Sequence, residues 1–327
     1  MTDESAAHLQ KRLPELAQKR LQSLRLSDGV ATLVLDGAGL DVAAREGLEA
    51  AVKNALAGVA GLREVRVAIM ADRPVAKPGP RIIAVGSGKG GVGKSTLSAN
   101  LAVALHRQGR KVGLVDADIY GPSQPRLLAN EGIKPAANDK KLIPVPSPYG
   151  VPVLSMGHLI EAGKAIAWRG PMAGNALGQL IDAEWGDADI LIIDLPPGTG
   201  DVQLTMVQKH KPMGAVIVST PQDLALMDAT RAISLFDQAG VPIIGLVENM
   251  SGYACPHCGE MSDPFGAGGV EAAAKVMKQD FLGKVPLHLS IRQDSDAGKP
   301  PAAGDGPQGQ AFAAIARKLG EWIDRQG

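Results

Sequence analysis

Several materials from which protein functions are commonly built are scarce in this 327-residue chain. Aromatic residues make up only 3% of it, poor material for base-stacking platforms. Charge of either sign has no surplus: 34 lysines and arginines match 34 aspartates and glutamates, so no long-range field favours nucleic acid or anionic lipid. Nucleic acid is not an expected partner. No run approaches the ~18 consecutive apolar residues of a membrane-spanning helix. The opening MTDESAAHLQ has neither the basic segment nor the apolar core of a secretory signal. The expectation is a cytoplasmic protein with no membrane partner. Cysteine is scarcest of all, with two in the whole protein, Cys255 and Cys258. What remains is a chain that is 45% hydrophobic, enough to bury one large core and a smaller one.

The most informative segment is GSGKGGVGKST, from Gly86 to Thr96. Gly88, Gly93, Lys94 and Ser95 satisfy the P-loop pattern G-x-x-x-x-G-K-[ST]. The preceding RIIAV run, Arg81 to Val85, reads as a buried parallel strand, and Leu97 to Gln108 reads as a helix. Strand, glycine loop and helix together make an anion cup, because the glycines aim backbone N–H groups inward and the helix N-terminus adds partial positive charge. Lys94 is expected on the β- and γ-phosphates and the Ser95 hydroxyl on Mg²⁺. Lys89 is a surplus lysine inside the loop, where a charge has no core to pack against and a phosphate is the natural counter-ion.

The segment Gly88, Lys89, Gly90, Gly91, Val92, Gly93, Lys94, Ser95, with Thr96 beside it, resembles the deviant Walker A motif of the MinD/ParA/nitrogenase-iron-protein class of P-loop ATPases. In that class the early lysine reaches across a dimer interface to the partner's nucleotide. The resemblance therefore implies an ATP-dependent homodimer with Lys89 and Lys94 both catalytic.

Two further segments fit a nucleotide switch. The strand at 111–115 ends in Asp116-Ala117-Asp118, which puts two carboxylates at the edge where doubly wound sheets bind ligands. The resemblance assigns orientation of the attacking water to Asp118 and leaves Asp116 as a metal-side or structural carboxylate. The strand at 190–193 delivers Asp194 into Leu-Pro-Pro-Gly-Thr-Gly-Asp. An acidic residue leaving an apolar strand is costly unless a cation awaits it, so Asp194 is expected in the Mg²⁺ shell. Alternating strands and helices continue through 214–247, which indicates a parallel sheet covered on both faces. The fold class expected is α/β, a doubly wound and mostly parallel sheet of the P-loop NTPase type. Asn249 follows the strand at 243–247 and reads either as an adenine-contacting amide, its role in the class, or as a turn former.

A small α/β domain precedes the ATPase, expected at residues 1–75: a helix over 8–26, a strand over 29–35, a helix over 42–57 and a strand over 64–70. It resembles the small domain that comes before the ATPase in some bacterial members, without that domain's acidic Asp-Pro signature. A proline-rich linker at 76–80 leads into the ATPase domain at 81–327.

The two cysteines lie in Cys255-Pro256-His257-Cys258-Gly259, a turn that points both sulfurs one way. Two thiolates do not complete a tetrahedral site. Either histidines such as His210 or His288 join them, or a two-fold dimer supplies the partner's pair to make four. Spacing alone favours zinc and leaves a redox dithiol or structural knuckle open. The longer segment Glu248 to Gly259, ENMSGYACPHCG, resembles the Mrp/ApbC group of iron–sulfur cluster carriers, without the extra N-terminal cysteines of its eukaryotic members. That resemblance implies a [4Fe–4S] cluster on Cys255 and Cys258 of two chains, slow ATP hydrolysis, and cluster scaffold proteins and apo iron–sulfur proteins as partners. A positioning or partitioning ATPase and a zinc-stapled dimeric scaffold are the competing readings. Trp168 is expected to pack under a loop and Arg169 to be solvated. Phe312, Ile315, Leu319, Trp322 and Ile323 form one face of a terminal helix of mixed charge, expected to pack into the core.

Overall fold

The computed structural model describes residues 3–70, 79–139, 141–159, 170–198 and 200–326. Most of the expected linker at 76–80, and both Trp168 and Arg169, lie outside the described residues. The chain divides into two compact units, Met1–Gly79 and Pro80–Gly327.

In the first unit, strands Leu21–Ser27 and Val30–Asp36 form an antiparallel hairpin, and Glu64–Met70 pairs with the middle strand in parallel. The helix Val42–Leu56 makes the crossover and buries Leu48, Val52 and Leu56 against Leu33 and Leu35. The helix expected over 8–26 is wrong at its second half. Helices Asp3–Arg12 and Glu15–Arg20 occupy the first part, broken at Pro14, and Leu21–Ser27 is a strand. The reason is the turn at Asp28-Gly29, with φ of 49° and 75°. An Asp-Gly pair accepts positive φ at two successive positions, as a tight hairpin demands. Alternation of Leu24 and Leu26 then outweighs helical spacing.

The second unit is built on a sheet of eight strands. Across it run Met261–Ser262, Ile243–Ala254, Gly214–Ser219, Arg81–Gly86, Ile190–Asp194, Val112–Asp116 and Val153–Ser155. Phe281–Leu287 also pairs with Ile243–Ala254, and every pairing except that of Met261–Ser262 is parallel. The strands at 112–116, 190–194 and 214–219 are wholly buried, which is why they read as continuous apolar runs rather than alternating ones. The fold is the doubly wound α/β sheet expected. Strand order reverses around Arg81–Gly86, so the loop leaving that strand opens into the crevice where such sheets bind ligands.

Packing fixes the P-loop helix, Lys94–Arg107, from nearly all sides, with residues 97–105 buried between the sheet and the terminal helix Pro307–Gln326. That terminal helix buries Phe312, Ile315, Leu319 and Ile323 in the same core cluster as Leu101 and Leu105. Its apolar face is therefore core, and among the described residues no helix is long and apolar enough to cross a membrane.

Phe312 is 1% exposed, so Phe312→Ala should cost about 3–5 kcal/mol of unfolding free energy. Denaturant titration of the pair checks this. A loss under ~1 kcal/mol would mean that the terminal helix is not part of the core.

Candidate functional site

The carboxyl edge of the central strands collects the chemistry. Register places Asp116 directly beside Asp194, and Asp194 beside Val85 of the P-loop strand. The two carboxylates are completely buried, so each must find partners inside the protein.

Asp194 has three. Lys94 Nζ lies 2.5 Å from its Oδ1, Ser98 Oγ donates to the same oxygen at 3.0 Å, and Gln124 Nε2 donates to Oδ2 at 2.8 Å. Lys94 is itself only 6% exposed, and its ammonium also lies 3.4 Å from Ser95 Oγ. A cation thus sits between the two oxygens expected to hold Mg²⁺, Ser95 Oγ and an Asp194 carboxylate. Hard oxygens already aimed at a positive charge fit a divalent cation of that class.

Asp116 is held differently. Its Oδ2 accepts from the backbone N–H of Ser123 and Gln124 and from Ser155 Oγ, and its Oδ1 accepts from the N–H of Asp118. These bonds staple the loop 117–124 to the strand end, so Asp116 organises the loop. Burial, with the Asp194 charge beside it, pushes its pKa up to about 7 against the hydrogen bonds from Gln124, Ser155 and Asp118.

Asp118 lies at the mouth of the site, its Oδ1 accepting from the N–H groups of Tyr120 and Gly121. It shares a cavity of about 190 Å³ with Lys89, Gly90, Gly91, Gly93, Lys94, Ser95 and Thr96. The loop thus lines an open cavity, the shape an anion cup requires. The other loop residues lie behind it. Gly88 is pressed against the helix Asp223–Gln238, where a Cβ would come within 2.0 Å of the Asp228 carbonyl oxygen. No other residue fits that contact. Val92 is buried and turns its carbonyl to Asn249 Nδ2 at 2.8 Å. Gly93 needs its glycine twice over, for a φ of 85° and because a Cβ would strike that same Asn249 amide.

Asn249 borders a second cavity of about 210 Å³, walled by Gly93, Thr96, Met250, Pro286 and His288 among others and adjoining the phosphate cup through Gly93 and Thr96. Its amide donates to the loop carbonyl and leaves Oδ1 and one N–H for a ligand. Its strand, Ile243–Ala254, runs seven residues beyond the expected end at Val247 because Phe281–Leu287 and Met261–Ser262 pair with it there.

Cys255 and Cys258 follow directly, in a hairpin closed by Cys255 N–H to Glu260 O and Gly259 N–H to Cys255 O. Cys258 is exposed and Cys255 half-buried. Backbone N–H groups of Cys258 and His257, together with the Cys258 thiol, hold the Cys255 thiol below its ordinary range, favouring the thiolate that metals bind. The histidines considered as companions are elsewhere. His288 caps the helix Leu289–Asp296 by accepting from Ser290 N–H, and His210 ends the helix Asp201–His210. Among the described residues no group of three or more His, Cys, Asp or Glu is placed to hold a metal ion.

Two contributors escape a reading by motif, and a third has a role that its motif does not indicate. Gln124 and Ser98 both bond Asp194, and buried Glu248 accepts from Gly268 and Val270 N–H at the start of the helix Gly269–Met277. The available signal is a polar residue on a buried face, visible only once the elements are placed.

Comparison with known proteins follows the same line. A family model described as ParA: NUBPL iron-transfer P-loop NTPase matches residues 80–320. An iron-sulfur cluster carrier protein of Haemophilus influenzae is 46% identical over 259 residues, 78% of this chain and 70% of its own. An iron-sulfur cluster transfer protein NUBPL of Dictyostelium discoideum is 45% identical over 272 residues, 82% of this chain and 83% of its own. Among solved structures, a nucleotide-binding protein of Archaeoglobus fulgidus in complex with ADP superposes with a TM-score of 0.61 at 42% identity, over 70% of this chain and 89% of that one. The MinD cell division protein of Aquifex aeolicus, at 24% identity and a TM-score of 0.56 over 74% and 97% of the chains, shares the fold.

The raised pKa of Asp116 has a definite sign in stability. Between the ordinary carboxylate value of about 4 and about 7 the folded protein holds a proton that the unfolded chain releases. Stability from this group is therefore complete below pH ~4 and lost as pH rises through ~7. Unfolding free energies of wild type and Asp116→Asn, measured from pH 4 to pH 8, should show a falling difference in this window; parallel profiles would refute the assignment.

Proposed function

Because this chain belongs to the family of NUBPL-type iron-transfer P-loop NTPases, we propose that it is an ATP-dependent iron–sulfur cluster carrier working as a homodimer. Its cargo is a [4Fe–4S] cluster held by Cys255 and Cys258 of both copies, taken from cluster scaffold proteins and delivered to apo-proteins.

The observation that carries this reading is one strand with two attachments. Asn249 on Ile243–Ala254 bonds the Val92 carbonyl inside the P-loop, and Cys255 is the residue after that strand ends. Movement of the loop when it closes on phosphates is thereby delivered to the cysteine hairpin through a short, paired segment. Differential affinity of nucleotide for the two loop positions becomes differential affinity for the cluster.

In the nucleotide half, backbone N–H groups of Gly88 to Thr96 and the ammonium of Lys94 receive the phosphates. Lys94 exchanges part of its contact with Asp194 for the β- and γ-phosphates. Ser95 and Asp194 hold Mg²⁺, which when bound neutralises charge on the phosphate oxygens. Asp118, its Oδ1 fixed by two amides, uses its other oxygen to orient the attacking water. Lys89, half-buried at the cup with Pro197, supplies its charge to the partner's nucleotide, and Asn249 meets the base. In the cluster half, one chain has two cysteines, and among the described residues no third ligand is grouped with them, so two copies supply the four thiolates of the cluster.

Anaerobic reconstitution with iron and sulfide should yield a charge-transfer band at about 400 nm that Cys255→Ala abolishes. Tight binding of zinc with no cluster would overturn the carrier reading. Lys89→Ala should keep ATP binding while steady-state hydrolysis falls by about 10³-fold, the scale of a charge supplied in trans. Unchanged turnover would remove Lys89 from the interface.

A further inference from the structure

Gln124 does more in this structure than a loop residue needs to. It opens the short helix Gln124–Leu127 just after the Asp116–Asp118 segment, and it is completely buried. Its backbone N–H donates to Asp116 Oδ2 at 3.0 Å. Its side-chain Nε2 donates to Asp194 Oδ2 at 2.8 Å and to the Ser95 carbonyl at 3.0 Å. One residue therefore ties together both carboxylates and the P-loop serine. The orientation of the amide is dictated by chemistry, since turning it over would set its oxygen against a carboxylate and a carbonyl.

That orientation leaves Oε1 buried and without a hydrogen-bond partner. Ser123 Oγ, on the preceding residue, is likewise buried and without one. Leaving a buried acceptor unsatisfied is costly, and such atoms call for an explanation. The explanation has to supply a donor on the amide that already holds Asp194. Magnesium retains several of its waters when bound by one or two protein oxygens, and every retained water has two O–H groups to place.

We propose that Gln124 is a positioning residue for magnesium-bound nucleotide: Nε2 fixes Asp194 and the P-loop, while Oε1 accepts from a water on the metal. The inference rests on the reading that Ser95 and Asp194 hold Mg²⁺, and it adds a residue that neither the P-loop pattern nor the aspartate strand identifies. It also gives the loop after Asp116 a direct stake in metal occupancy, because the residue that senses the metal water is fastened to Asp116 through its own backbone.

The test is the dissociation constant of ADP, measured calorimetrically with excess Mg²⁺ and with EDTA, for wild type, Gln124→Leu and Gln124→Met. Wild type should bind more tightly with Mg²⁺. Gln124→Leu should lose about tenfold or more of that enhancement, the usual scale for removing a group behind a metal ligand, while its affinity in EDTA stays within about twofold. Gln124→Met keeps the length and volume of the side chain and removes both polar ends, so it should lose the enhancement as well, and it carries the test should Gln124→Leu fail to fold. Retention of the enhancement by either variant overturns the proposal. Wild type with no enhancement at all would instead overturn the magnesium assignment of Ser95 and Asp194 and this inference with it.

Discussion

The ion pair between Lys94 and Asp194 is the constraint on which the rest of the site depends. Both groups are buried and 2.5 Å apart, in an interior where an unpaired charge would be ruinous. A second carboxylate, Asp116, lies beside Asp194 in the sheet register, so the site holds one positive charge against two acidic groups. The raised pKa of Asp116 is the physical answer, since keeping its proton spares the interior a second negative charge. Ser98, Gln124, Ser155 and the amides of 118, 123 and 124 then satisfy oxygens that one lysine cannot reach. Apolar residues of similar volume would hold a sheet edge at least as firmly. In the proposed cycle the charges are retained because each can change partners: a triphosphate offers Lys94 a second anion, and a divalent cation offers the carboxylates a stronger counter-ion.

This arrangement also explains why the loop is so tightly specified. Gly93 must tolerate both a positive φ and the Asn249 amide, and Gly88 must tolerate the backbone of the helix Asp223–Gln238. The cup is therefore clamped from two directions by elements that lead elsewhere. Asn249 leads to the cysteine hairpin, and its neighbour Glu248 holds the start of the helix Gly269–Met277 through two backbone N–H groups. Packed, hydrogen-bonded elements of this kind shift between discrete arrangements rather than deforming gradually. Coupling read in one direction also holds in the other, so in the proposed cycle a bound cluster alters nucleotide affinity as much as nucleotide alters cluster affinity.

Much of this was legible in the residues themselves. Glycines at fixed spacing after an apolar strand specify the phosphate cup, and the sheet follows from apolar runs alternating with helices. The parts that were not legible share a cause. Leu21–Ser27 carries weak periodicity of both kinds, and only the Asp-Gly turn decides that it pairs as a strand. Gln124 and Ser98 look like ordinary polar residues until the sheet places Asp194 within their reach, because their partners are 70 and 96 positions away. Asn249 was legible as a residue at the ligand edge but not as a brace on the P-loop, since its contact with Val92 spans 157 positions. Local patterns report local geometry, and the contacts that join the nucleotide half to the cysteine half are all long-range.

The incompleteness of the cysteine site is the last piece of the same logic. A structural zinc site that is closed within one chain contributes to folding outright. Here the hairpin presents one exposed and one half-buried thiol, and neither His210 nor His288 is placed beside them. A site made of halves from two chains has a property that a closed site lacks: its affinity depends on the distance between the halves. Anything that separates or rotates the chains weakens all four bonds together without competing for any single ligand. For a carrier this is the useful design, because a cargo must be held firmly and then surrendered. On the proposed reading the surplus lysine in the P-loop and the half-site in the hairpin answer one requirement. In the proposed cycle the nucleotide sets how the two chains meet, and the way they meet sets whether the cluster is held.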